Sequence, residues 1–281
     1  MKMMSSNLIL TVFMVLFLLL NGCKSANDNT TTGNPFVSLA ATSSASNATV
    51  SKVKPSLFDL FLPQAVAYPP PATLLDAVGN TVVIQAVWIN FGEIEFKSEQ
   101  VASGTEVDGD SVQFSGSNAI DLLSPTPMPF VSGPINLTQL RRIKLKLIRT
   151  QVLPFGAPSG FLNKSIFISG TMNGNNFTYS TQDETVIEVS GPNIVTAVEN
   201  RTLLLELQIA NLIKKSNLSA IVNNTNINDG NRVSSSNPCN AIQAGASDLF
   251  TCFKKGFETE SNVGRDDDGD YSLDPSEETV K

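Results

Sequence analysis

Apolar and polar residues are segregated along the chain, and each stretch predicts a different kind of element. Residues 8–20 form an apolar run with Lys2 as its only upstream charged side chain. Residues 24–53 are mostly Ser, Thr, Asn and Ala. So few large apolar side chains cannot offset the entropy of ordering, which predicts a flexible tether over 23–54. Leu57, Phe58, Leu60, Phe61, Leu62 and Val66 then make a compact apolar patch. Lys54 is the one cation near it, so a short helix docking on the domain is expected rather than one lying on lipid. Pro69, Pro70 and Pro71 stiffen the end of this 55–79 segment.

From residue 80 the period changes to that of strands. Residues 81–97 are rich in β-branched and aromatic side chains, with Gly92 as a bulge or bend. Further strands are predicted over 111–114, 119–123, 142–149, 165–169, 177–181, 185–189 and 203–208. In 142–147, Ile143, Leu145 and Leu147 alternate strictly with Arg142, Lys144 and Lys146. Asn173-Gly174 between two strands supplies the positive φ values of a type I′ hairpin. Asp108 and Asp110 beside Gly109 read as turn chemistry. Many short strands with few helical periods predict an antiparallel β-sandwich over 80–236. Its last part, from 211, is Asn- and Ser-rich loop with a strand or short helix at 218–222.

Beyond residue 237 the spacing is helical. Ile242, Ala246, Leu249, Phe250, Phe253 and Phe257 recur at steps of three and four. A helix over 246–258, packed on the sandwich through its phenylalanines, is expected, followed by an acidic loop. The 237–281 segment, after the sandwich domain, is read as this C-terminal helix plus a calcium-loop-like acidic tail.

The first apolar run ends in Leu20-Asn-Gly-Cys23. A basic start, an apolar centre and a small residue before the cut are the grammar of a secretory signal over 1–22. The run is shorter than the roughly 20 residues that span a bilayer, which argues against an uncleaved anchor. The four residues resemble the lipobox of bacterial lipoproteins, with Asn21 where a smaller residue is usual. The resemblance implies that Cys23 carries a diacylglycerol and becomes the first residue. With Lys24 rather than Asp after the cysteine, it also implies an outer-membrane lipoprotein.

Charge and cysteine usage narrow the partners. The net charge is −7, and residues 258–281 hold nine acids against Arg265 and Lys281. Without the leader the rest of the body is near −1, so there is no basic excess for nucleic acid. The chain has no histidine, which removes Ser-His-Asp and Cys-His catalysis and His-ligated zinc. Cys239 and Cys252 remain as a pair in an oxidising compartment, read as a disulfide rather than two buried thiols. On one helix they would sit roughly 20 Å apart by rise, far above the ~5.5 Å a bridge needs. Cys239 must therefore lie off the helix, and Pro238 and Gly245 allow the break.

Trp88-Ile-Asn-Phe-Gly-Glu-Ile-Glu-Phe96, Ile120-Asp-Leu-Leu123, Arg142-Ile-Lys-Leu-Lys-Leu147 and Ile166-Phe-Ile-Ser-Gly-Thr-Met-Asn-Gly174 resemble bacterial lipoproteins of the DUF4382-like kind. The likeness spans about 80–212 and rests on strand patterns. It implies an exported, prealbumin-like or immunoglobulin-like sandwich and carries no functional residues.

One stretch carries chemistry. Residues 266–277 read Asp-Asp-Asp-Gly-Asp-Tyr-Ser-Leu-Asp-Pro-Ser-Glu. Against a twelve-residue calcium loop, Asp266, Asp268 and Asp270 fall on positions 1, 3 and 5. Ser272 offers the carbonyl at 7, Asp274 the water-mediated position 9, and Glu277 the bidentate carboxylate at 12. Calcium wants six to eight oxygens, and alternating carboxylates on a tight loop supply them. The stretch resembles EF-hand, dockerin and thrombospondin-type loops, and a structural ion is favoured over a solvated acidic tail. Tyr271 stands at position 6, where glycine normally makes the turn. The four residues after Glu277 leave no room for a full exiting helix.

The function these readings favour is non-enzymatic: a lipid-anchored envelope protein with a binding or structural role and a calcium-stabilised C-terminal element. The alternative is a glycan-binding or carrier module of an envelope transport or degradation system, which needs Trp88 in an exposed aromatic cluster. Core packing of Trp88 and Phe91 is the favoured reading, as is a solvated strand face for Arg142, Lys144 and Lys146. A carboxylate enzyme acting on polysaccharide would need a pair such as Glu93 and Glu95, about 5–10 Å apart in a cleft.

Overall fold

Among the described residues, fourteen strands and two short helices build this mainly-β protein, seen in a computed structural model. The structure describes residues 36–43, 73–98, 100–102, 105–107, 111–124, 129–134, 137, 139–196, 198, 201–239, 241–269 and 271–281. The leader, Cys23, the 55–67 apolar patch, the proline spacer, Asp108, Asp110 and Asp270 lie outside them.

In chain order the strands are β1 (Phe36–Ser43), β2 (Thr73–Leu75), β3 (Thr81–Lys97), β4 (Gln100–Ala102) and β5 (Thr105–Val107). Then come β6 (Ser111–Asp121), β7 (Val131–Pro134), β8 (Gln139–Leu147), β9 (Ile166–Met172) and β10 (Asn175–Thr181). Last are β11 (Val186–Thr196), β12 (Arg201–Leu207), β13 (Thr225–Ile227) and β14 (Ser261–Arg265). Helix α1 is Ile209–Lys214 and α2 is Leu249–Thr259. The larger sheet runs β11-β8-β3-β9-β10-β13, with β2 and β6 also on β3; the smaller runs β14-β12-β1-β7. Strands β4 and β5 form a separate ribbon. One apolar core joins Val37, Leu39, Leu203, Leu205 and Val263 of the smaller sheet to Val82, Phe91, Ile143 and Tyr179 of the larger. Each such fully buried side chain contributes about 1.5–3 kcal/mol.

Strand β3 organises the larger sheet, holding β2 and β9 along its first half and β6 and β8 along its second. Its inward residues are Val82 and Ile84, then Val87, Ile89 and Phe91, then Ile94 and Phe96. The parity switches twice, and each switch falls at a register shift, one between Ile84 and Ala86 and one between Phe91 and Glu93. A bulge adds one residue and so returns the apolar side to the core. Gly92 sits at the second, where a Cβ would run into Ile148. In β8 Ile143, Leu145 and Leu147 are buried and Lys144 and Lys146 lie half-buried on the other face, but Arg142, expected on that solvated face, is buried too. Asn173 (φ 48°) and Gly174 (φ 82°) close the β9–β10 hairpin as the sequence predicts.

The ends of the domain differ from the sequence reading. Phe36–Ser43, expected in the tether, is a strand of the smaller sheet, parallel to β12 and antiparallel to β7. Val37, Leu39 and Ala41 are just enough apolar surface, and both neighbours lie more than ninety residues away. Nor do the strands end at 236: β14 pairs with β12, and Val280 is fully buried in the common core. The sandwich therefore runs from β1 to the last residues of the chain. Helix α1, expected as loop, buries Ile209, Leu212 and Ile213, but six residues are too few to show a period.

Helix α2 begins at Leu249 because Asp248 caps it, its carboxylate accepting from Thr251 N at 2.7 Å. Ala246, expected on its first turn, precedes the cap. Phe250, Phe253 and Phe257 pack around Tyr179, with ring centroids 5.7, 4.9 and 6.3 Å away. Cys239 lies on the loop before the helix and bridges to Cys252 on it, with Cα atoms 5.7 Å apart.

Candidate metal centre in the C-terminal loop

The acidic loop is entered from strand β14, not from the helix as the sequence suggested. After the loop the chain returns antiparallel to β14. Val280 N donates to Val263 O at 2.8 Å and Arg265 N to Glu278 O at 3.0 Å. The loop is thus a β-hairpin tip, and its two stems are fixed by the sheet before any ion is considered.

Of the residues predicted from spacing, Asp266, Asp268 and Glu277 come together, with one carboxylate oxygen of each within 4.8 Å of the others. Calcium–oxygen bonds of 2.3–2.6 Å allow ligand oxygens up to about 5 Å apart around one ion, so the three fit a shared sphere. Asp274 stands outside this trio, accepting from Ser276 N at 2.7 Å and Ser276 Oγ at 2.5 Å. That position suits the water-mediated role. Ser272 follows Tyr271 at the loop's turn.

The loop shapes itself around these carboxylates. Asp266 accepts from Gly269 N at 2.7 Å and from Tyr271 N at 3.3 Å. Glu277 accepts from Asp267 N at 2.7 Å and Asp274 N at 3.1 Å, so it spans both sides of the loop. Burial among Asp266 and Asp274 pushes its carboxyl above the ordinary glutamate range, against those two hydrogen bonds. Tyr271 takes φ 63°, the left-handed turn that position 6 requires. A side chain held there costs roughly 1–3 kcal/mol.

Three residues of the site were not visible in the spacing. Arg265 grips Asp267 with Nε and Nη2, at 2.6 and 2.9 Å, and gives Nη1 to Thr196 O at 2.6 Å. Arg265 takes both Asp267 carboxylate oxygens, which makes Asp267 a brace of the loop, and the same bonds hold its carboxyl below the usual range. Glu278 accepts from Thr196 N at 2.6 Å and Thr196 Oγ1 at 2.8 Å, and those bonds lower its carboxyl. Arg265 and Glu278 fasten the loop to β11, and three consecutive Asp letters, 266–268, give no sign of which acids turn outward.

The other candidates resolve differently. Trp88 is only 7% exposed and packs on Phe161 (5.8 Å) and Phe167, outside the main core; Phe91 stacks on Phe130 at 5.1 Å. Neither offers a sugar platform. Glu93 and Glu95 stand cross-strand from Lys146 and Lys144, which also pair with Glu184 (3.5 Å) and Glu188 (3.7 Å) on the far side. Arg142 bonds Glu188 at 3.0 Å. This is a charge ladder on a sheet face, which accounts for the basic strand without a ligand. A cleft of about 530 Å³ opens beside α2, between Asp183, Asp229, Arg232, Phe250 and Lys254, with Lys254 bonded to Asp183 at 2.8 Å. No family model, curated protein or solved structure matches this chain.

Proposed function

We propose that this chain is a lipid-anchored protein of the cell envelope, held at the outer membrane through Cys23. Its sandwich plays a binding or structural role, and a calcium ion in the 266–277 loop staples the chain's last residues to the sheets. The observation that carries the metal reading is the convergence of Asp266, Asp268 and Glu277 on one ion-sized space. Asp270 and the Ser272 carbonyl would complete the oxygen set, and the ion would supply cross-linking, not catalysis. The place of Glu93 and Glu95 cross-strand from Lys146 and Lys144, with Lys97 3.4 Å from Glu95, favours this over carboxylate hydrolysis, and the burial of Trp88 favours it over glycan stacking.

Thermal unfolding tests the metal site. The protein used must begin before Phe36, because β1 belongs to the sandwich. An affinity of 10⁻⁴–10⁻³ M gives about 1.4–2.7 kcal/mol in ~10 mM calcium, a midpoint rise of a few degrees over chelator. Asp268→Ala abolishes the rise. Tyr271→Gly relieves the left-handed strain, adding about 1 kcal/mol without metal and tightening calcium binding. Equal midpoints with calcium and with chelator leave the loop an acidic tip braced by Arg265.

The anchor is tested separately. Cys23→Ser moves the protein from the membrane fraction to the precursor pool, and the wild-type mature protein carries the mass of a diacylglycerol on its first residue. An unmodified Cys23 in the mature chain sinks the lipoprotein reading and leaves the calcium reading untouched.

A further inference from the structure

Among the described residues, the loop between β8 and β9 is the most apolar excursion into solvent. Val152 is 80% exposed, Phe155 fully so, and Leu162 is 41% exposed. Isolated exposed apolar residues are ordinary, but three in one loop, with one at its apex, are not. The loop is also held firmly. Its feet are tied by Thr150 N to Lys164 O at 2.9 Å and Asn163 N to Thr150 O at 2.8 Å. Ala157 N donates to Pro154 O at 3.1 Å with Gly156 at φ 82°, a tight turn that puts Phe155 at its corner. The returning arm is a short 3₁₀ turn, Ser159–Phe161, whose Phe161 is buried against Trp88. Pro154 and Pro158 remove further freedom. An apolar apex this well supported loses little entropy on docking.

Charge says what it docks against. From residue 122 to 182 the chain has no Asp or Glu, in a protein of net charge −7; of its six cations there, Arg142, Lys144 and Lys146 face Glu184 and Glu188, and Arg149 and Lys164 flank the loop. Arg149 and Lys164 stand one at each foot of the loop. Nearby acids are engaged: Glu184 with Lys146 (3.5 Å), Asp183 with Lys254 (2.8 Å), and Asp121 with Leu123 N (3.0 Å). An apolar tip between two cations fits an anionic lipid leaflet, where the tip enters the acyl boundary and the cations meet headgroups.

We propose that residues 149–164 form a membrane-inserting spike, with Phe155 and Val152 entering an anionic leaflet and Arg149 and Lys164 at its surface. The spike requires no acyl chain on Cys23, so the two readings fail independently. The test uses the full chain with Cys23→Ser, leaving a fluorophore on Phe155→Cys as the one accessible thiol label, since Cys239 and Cys252 are bridged. On phosphatidylglycerol vesicles the probe shifts to the blue and is quenched by bromine in the acyl chains. The same label on Val222→Cys, an exposed site elsewhere, stays water-like. Arg149→Glu with Lys164→Glu cuts the quenching at least tenfold without lowering the unfolding midpoint. A probe at 155 that remains water-like on vesicles overturns the proposal. So does one already blue-shifted without lipid, which would place another part of the chain, or at higher concentration a second copy, over the tip.

Discussion

Replacing Phe253 with alanine lowers the stability of the sandwich by about 3–5 kcal/mol, the range for a large aromatic lost from a core. Phe253 is fully buried and stacks on Tyr179, itself fully buried, at 4.9 Å and 19° between planes. The cavity has no easy way to collapse, because Phe250 and Phe257 already touch the same ring and the Cys239–Cys252 bridge holds the helix in place. Among the described residues the Tyr179 hydroxyl has no hydrogen-bond partner, and burial drives its ionisation far above the ordinary phenol range, so it stays neutral. In a domain of this size the loss appears as a fall in midpoint on the order of 10 °C. Urea unfolding read by circular dichroism measures it. A cost under about 1 kcal/mol would mean that α2 is an appendage and not part of the core.

Removing the disulfide has the second largest effect. The bridge closes a loop between residues 13 apart, for which the chain-entropy account gives about 3 kcal/mol. Both sulfurs are buried, so reductant acts only through opened molecules, and Cys239→Ala with Cys252→Ala is the cleaner comparison. What is released is the loop before α2. Its Cys239 carbonyl accepts from Ile242 N and Gln243 N, and Pro238 O from Asn217 N at 2.7 Å. The double variant should unfold at lower urea, and the gap from wild type should vanish once wild type is fully reduced. Identical midpoints would show that packing alone positions the loop. The loss does not add to that of Phe253→Ala, because Phe253 and Cys252 are adjacent on one helix.

Several features of this protein are written within a few residues of one another, and the sequence alone determined them. The inward side of β8 follows from strict alternation, the β9–β10 turn from Asn173-Gly174, and the docking face of α2 from phenylalanines three and four apart. Helix rise forces Cys239 off the helix it bridges to, and the spacing of Asp266, Asp268 and Glu277 brings three carboxylates to one point. These are consequences of backbone period and turn chemistry, which act over one or two turns.

Tertiary structure decided the rest. Nothing local in Phe36–Ser43 says that Val37 pairs with Arg201 and Gly133 at once; only the two neighbours give that modest apolar strand a buried place. The two bulges of β3 erase the alternation that would have told inside from outside, and they can be located only against β9, β6 and β8. Asp266 and Asp267 are the same residue type side by side. Arg265, anchored on Thr196 of β11, makes one a brace and leaves the other beside Asp268 and Glu277. Val280 joins the core because β14 carries the chain back beneath it. A strand's partner is chosen by the surface it covers, and that surface exists only once distant segments have met.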